Sequence, residues 1–217
     1  FMLTLVYVPA QAKKAGEIKD DIYTDFDHNF SFKVPNGWSA NIKKSKYALR
    51  VALDQKSPVP PRHFQGELRD YMQIPTIDVI VDTTSLETEE FVDSLLSPDF
   101  KSRQKKGLMR YLDILEKPTY EIQKRSKLTF HSHPATVLEV RQPYSMEVST
   151  RGSDRAEVIN DYKTGLIFFS VRDGKLFIIS MLCEYQTSNS ILGIVNSLIN
   201  SIEFNGGEEP KKAEDKG

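Results

Sequence analysis

Between Leu166 and Phe204 the apolar positions come as two nearly unbroken runs followed by a spaced stripe. The runs, Leu166–Val171 and Leu176–Leu182, flank Arg172-Asp173-Gly174-Lys175. Asp-Gly between strand-like runs predicts a tight hairpin, because both central residues of such a turn need positive φ. Neighbours within each run are both apolar, as in Ile167-Phe168 and Ile178-Ile179. Successive strand side chains point to opposite faces, so this hairpin must be covered on both sides. The stripe Ile191, Val195, Leu198 and Ile202, with Thr187 or Ser188 as N-cap, predicts an amphipathic closing helix. The pattern implies an α+β fold, a central antiparallel sheet between helical layers.

Upstream, Phe30, Phe32 and Val34 alternate with polar neighbours, Pro35-Asn36-Gly37 offers a turn, and Trp38, Ala40 and Ile42 alternate again. This predicts a second hairpin with one wet face. Leu49–Leu53 and Ile77–Val81 read as strands. Between them Ser57–Pro75 carries prolines at 58, 60, 61 and 75. Loops of that length are uncommon inside compact domains unless they are functional or mobile. Thr84 and Glu87 have capping-box spacing ahead of the apolar stripe Phe91, Val92, Leu95 and Leu96. A short second helix before Lys117 is followed by strands at Thr119–Thr129 and Thr136–Val140, joined through His131-Ser132-His133-Pro134. Asp154–Asp161 leads into the final hairpin.

Composition narrows the function classes. The 217 residues carry a formal net charge of -1, so no global field attracts nucleic acid or an anionic membrane. Basic clusters at Lys43–Lys46, Lys101–Arg110 and Lys124–Lys127 read as solvated faces and loops. The single cysteine, Cys183, excludes an intrachain disulfide and a multi-cysteine metal site. Phe1–Val8 is apolar and leads to Pro9-Ala10-Gln11-Ala12, small residues where a signal peptidase cuts. Residues 1–12 are therefore expected to be a signal-peptide remnant of an exported protein, and 13–24 a linker. One domain is expected over 25–204, with a disordered tail at 205–217.

The stretch Phe30-Ser31-Phe32-Lys33-Val34-Pro35-Asn36-Gly37-Trp38 is similar to the opening of PsbP-like domains. The helix near Thr84, the strand entry at Pro134-Ala135-Thr136 and the ending Ser201-Ile202-Glu203-Phe204 also resemble that family, which includes the Mog-type proteins. The resemblance spans roughly Asp25–Phe204 and rests on hydrophobicity. It implies an α/β/α sandwich and a non-catalytic accessory or binding role.

Candidate chemistry is sparse. His131 and His133 would share one face if the segment were extended, and could then chelate zinc or copper with further ligands; surface turn histidines are the plain reading. The chain has no G-x-S-x-G elbow, no phosphate-binding loop of the G-x-x-x-x-G-K-[ST] kind and no G-x-G-x-x-G fingerprint. A non-enzymatic protein without a cofactor is expected. The long loop offers Arg62, His63, Phe64, Arg69 and Tyr71, a composition found at interfaces, and a protein partner is the expected ligand. Phe64 and Tyr71 could instead pin the loop to the sheet. Trp38 reads as core.

Overall fold

The computed structural model describes residues 14–64, 66–99, 102–116, 119–149 and 156–204. The expected leader at 1–12 and tail at 205–217 lie outside them. The chain opens with strands β1 (Gly16–Lys19), β2 (Ile22–Asp25) and β3 (Phe30–Lys33), then β4 (Trp38–Ile42), β5 (Leu49–Gln55) and β6 (Thr76–Thr83). Helices α1 (Thr88–Leu96), α2 (Arg103–Met109) and α3 (Asp113–Glu116) follow. The chain then runs through β7 (Glu121–Phe130), β8 (His133–Ser149), β9 (Ala156–Arg172), β10 (Lys175–Glu184), α4 (Ser188–Asn200) and β11 (Glu203–Phe204).

Seven strands form one antiparallel sheet in the order β4-β5-β6-β10-β9-β8-β7. The final hairpin sits at its centre, as the doubly apolar runs require. Asp173 and Gly174 both have positive φ, 51° and 72°, so the turn matches the right-handed strand twist. One face of the sheet, through Ile80, Ile167, Phe169 and Ile178, packs on α1, α2 and α3. The other, through Val79, Phe168, Phe177 and Ile179, packs on α4, whose Ile191, Val195, Leu198 and Ile202 are buried. Gly165 lets α3 approach the sheet: a Cβ there would lie 2.8 Å from Ile114 Cδ1.

Three expectations need correction. First, β3 and β4 do not pair. Instead β1, β2, β3 and β11 form a separate four-stranded sheet, and Pro35–Gly37 is a corner between the sheets. Phe30 and Phe32 are both under 2% exposed, because their rings join the aromatic core against Tyr23 and Phe177. The α4 face is thus covered by a helix and a small sheet together, not by a helical layer alone. Second, residues 13–24 do not form a linker where they are described. β1 and β2 belong to the small sheet, and Ala15 and Tyr23 are fully buried. Third, Thr84 does not cap α1. Its Oγ1 accepts from Leu86 N–H at 3.1 Å in a local turn, and α1 starts after Glu87, whose N–H reaches Glu90.

A buried ion pair ties the two sheets together. The β5–β6 register shifts between Leu49 and Val51, and Arg50 at that irregularity directs its guanidinium toward the small sheet. Its Nε donates to Asp25 Oδ2 at 2.7 Å, Nη2 reaches Asp27, and Nη1 donates to the Ser45 carbonyl at 2.9 Å. Tyr23 adds its hydroxyl to the same Asp25 carboxylate at 2.9 Å. With every guanidinium nitrogen engaged, the charge is compensated although Arg50 is only 1% exposed.

Candidate functional site

The connections of the large sheet gather at its two ends. At one end β5 leads into the Ser57–Pro75 loop, β10 leads into α4, and β8 and β9 continue as a paired arm beyond the end of β10. Glu184, the last residue of β10, is 1% exposed and joins all three. Its Oε1 accepts the Gln73 backbone N–H of the loop at 2.5 Å, and its Oε2 accepts the Tyr144 hydroxyl of the arm at 2.9 Å. Lys163, opposite Glu184 in the β9–β10 register, donates to Gln73 Oε1 at 3.2 Å. Burial raises the Glu184 pKa; the Gln73 N–H, the Tyr144 hydroxyl and Lys163 oppose that shift. Burial and the bond to this carboxylate hold the Tyr144 hydroxyl well above the usual phenol range. A carboxylate at such a position is tolerated only because its oxygens have donors.

The outward side of this end is aromatic and cationic. The Arg141 guanidinium lies 4.3 Å from the Tyr185 ring centroid and 5.0 Å from that of Tyr162. The two tyrosine rings stand edge to face at 6.4 Å. Beside Gln73, Tyr71 and Ile74 are 65% and 48% exposed, and Tyr185 is 44% exposed. A guanidinium held between rings loses little freedom on binding, and Tyr with Arg is the composition that dominates interface energetics.

The residues expected to bind on the long loop divide. Arg62 opens one short 3₁₀ turn and Arg69 lies in another, both exposed. Phe64 is completely buried, and its N–H donates to the Pro61 carbonyl at 2.9 Å, so it pins the loop. Tyr71 faces solvent. The side chain of His63 lies outside the described residues.

His131 and His133 are at the opposite end of the sheet, and the premise of chelation fails there. The segment is not extended: His131 and Ser132 have φ of 45° and 66° and form the β7–β8 turn. His131 packs edge-on against Phe130 and Phe204, and its Nε2 lies 2.9 Å from the Ile202 carbonyl, a contact that requires the nitrogen to donate. Among the described residues no group of three or more His, Cys, Asp or Glu is placed to hold a metal ion. Cys183 is fully buried, and burial pushes its thiol up to about 12, the reverse of an activated nucleophile.

Sequence reading missed Gln73, Arg141, Tyr144, Tyr162 and Glu184. One signal is present: Glu184 ends the run Leu176–Cys183, in which Ser180 is the one polar residue, and a carboxylate at the end of a buried strand must find partners.

No family model matches the chain, and no curated protein matches it. Among solved structures it is similar to cyanobacterial PsbP (CyanoP) from Synechocystis, at 13% identity over 93% of this chain and 98% of that one, TM-score 0.44. It is similar to LpqN of Mycobacterium tuberculosis, involved in cell envelope biogenesis, at 14% identity over 82% and 83%, TM-score 0.47. It is also similar to the Ran-binding protein Mog1p of Saccharomyces cerevisiae, at 8% identity over 87% and 96%, TM-score 0.49. No described helix is long and apolar enough to cross a membrane.

Proposed function

We propose that this chain is an exported, non-enzymatic binding domain, a sheet-dominated form of the PsbP-type α/β/α sandwich. Its ligand is a protein that docks on Tyr71, Ile74, Tyr162 and Tyr185 around Arg141. The observation that carries this reading is the exposed tyrosine–arginine surface set on a buried carboxylate that joins loop, arm and sheet. The ring contacts restrain Arg141, Tyr162 and Tyr185, so those side chains lose less entropy when a partner arrives. Export is supported by the apolar run ending in Pro9-Ala10-Gln11-Ala12. Mass spectrometry of protein recovered from the native host checks it, with an N-terminus at Lys13 expected and a chain that keeps residues 1–12 counting against it.

Paired variants test the docking face. Tyr71→Ala combined with Tyr185→Ala should weaken the complex by about 1–3 kcal/mol with an unchanged Tm, the range of ordinary to strong interface anchors. Phe64→Ala should instead lower Tm, by about 3–5 kcal/mol of stability for a fully buried Phe. Intact binding by the double tyrosine variant would remove this face from consideration.

A further inference from the structure

We propose a second binding site, for an organic phosphate, in the cleft between α2 and the β4–β5 connection at the turn end of the large sheet. Two basic runs that are far apart in sequence converge there. A cavity of about 530 Å³ is lined by Lys46 and Tyr47 from the connection and by Arg103, Arg110 and Tyr111 from α2 and its end, over a floor that includes Leu108.

The cations are the first reason. Lys46, Arg103 and Arg110 form no ion pair among the described residues, and Lys46 only stacks on the Tyr47 ring, at 5.1 Å. Elsewhere Arg50, Arg125 and Arg172 each meet a carboxylate. The one acid lining the cleft, Asp82, is already engaged: Oδ1 takes the Thr83 N–H at 2.8 Å and Oδ2 takes the Gln104 amide at 3.2 Å. The lining sets three cations against one carboxylate, an excess of positive charge that favours a further anion. Phosphate suits them best, since the planar guanidinium fork matches its oxygens and Lys adds a point charge.

The volume is the second reason. At about 530 Å³ the open concavity has room for more than a bare anion, so it accommodates a phosphate that carries an organic body. Gln104 is fixed in the wall, its amide also donating to the Thr83 carbonyl at 2.6 Å. Beyond it a neighbouring cavity of about 650 Å³ is lined by Thr84, Ser85 and Ser94, whose hydroxyls suit a polyol. The chemistry is that of a sugar or inositol phosphate, with the phosphate among the cations and the hydroxylated body directed past Gln104.

Calorimetry on the full chain with glucose phosphate, inorganic phosphate and glucose tests the assignment. Glucose phosphate should bind, more tightly than inorganic phosphate, and glucose should give no heat. Added salt should weaken binding, as it does for exposed charges. Arg103→Gln with Arg110→Gln should cost roughly tenfold or more in affinity, the loss expected for two charge-assisted contacts. Arg69→Gln, on the loop at the other end, should change nothing, and Tm should hold in both variants. Flotation with vesicles containing phosphoinositide, against plain phosphatidylcholine vesicles, separates the sources. Retention on the former assigns a lipid headgroup, and binding of the free ester alone assigns a soluble one. Silence toward all the phosphates, equal binding of glucose, or full affinity in the double arginine variant would overturn the site.

Discussion

The two ends of the seven-stranded sheet are held by different kinds of interaction. At the end carrying Asp173-Gly174 and His131-Ser132, the chain reverses in two-residue turns whose φ values are positive throughout. Those turns are set by the local backbone. At the end carrying Glu184, the Ser57–Pro75 loop, the β8–β9 arm and β10 are joined by side chains 40 to 111 residues apart. That end depends on partners the chain meets only after folding. Charge differs too: the turn end presents cations that form no ion pair among the described residues, whereas the loop end buries a carboxylate and exposes tyrosine. The difference teaches that one scaffold is closed by local turns at one end and by long-range side-chain bonds at the other.

The largest expected effect sharpens the contrast through pH. Asp78 on β6 has a pKa raised to about 7 from 3.8, first by burial and then by the Asp113 carboxylate, with Asp54 acting the same way and Lys43 opposing. A raised carboxyl pKa contributes stability that is full below 3.8 and is lost as pH rises toward 7. Asp78→Asn should therefore match the wild type at low pH and exceed it above neutrality, by up to about 4 kcal/mol at 1.36 kcal/mol per pKa unit. Melting curves across that range check it; parallel curves for the two proteins would contradict it.

Removing the Glu184 carboxylate should break the loop end alone. Glu184→Ala leaves the Gln73 N–H and the Tyr144 hydroxyl without their acceptor, which should cost about 1–3 kcal/mol. Hydrogen exchange should accelerate in residues 66–75 and in the arm, while the Asp173-Gly174 hairpin stays protected. Uniform acceleration would mean that Glu184 supports the whole sheet. The smallest effect belongs to the turn end. Gly174 has φ of 72°, and Gly174→Ala should cost about 1–2 kcal/mol. Its effect on exchange at Gln73 should be nil.

The same contrast explains what was legible in the sequence. Asp173-Gly174, the doubly apolar runs and the α4 stripe announce themselves because turn chemistry and periodicity are local. Apolar alternation marks β8 only over Thr136–Val140, yet the strand runs His133–Ser149. Past Val140 come Arg141, Gln142 and Pro143, which carry no apolar rhythm; pairing with β9 holds them extended. The expected β3–β4 hairpin does not form for a related reason. Its alternation and turn residues were real, but which sheet each strand joins is decided by Tyr23, Phe177 and the Arg50 bridge, far away in sequence. Of the loop residues, exposure separated Tyr71 from Phe64, a distinction composition does not carry.

The most direct test of the docking face is site-specific photocrosslinking in the native host. A photoreactive phenylalanine analogue replaces Tyr71, Tyr185 or, at the opposite end, Tyr47. All three tyrosines are well exposed, at 65%, 44% and 44%. The Tyr71 and Tyr185 positions should capture the same protein, and Tyr47 should capture none. Capture of that protein from Tyr47, or of no protein from Tyr71 and Tyr185, would contradict the account.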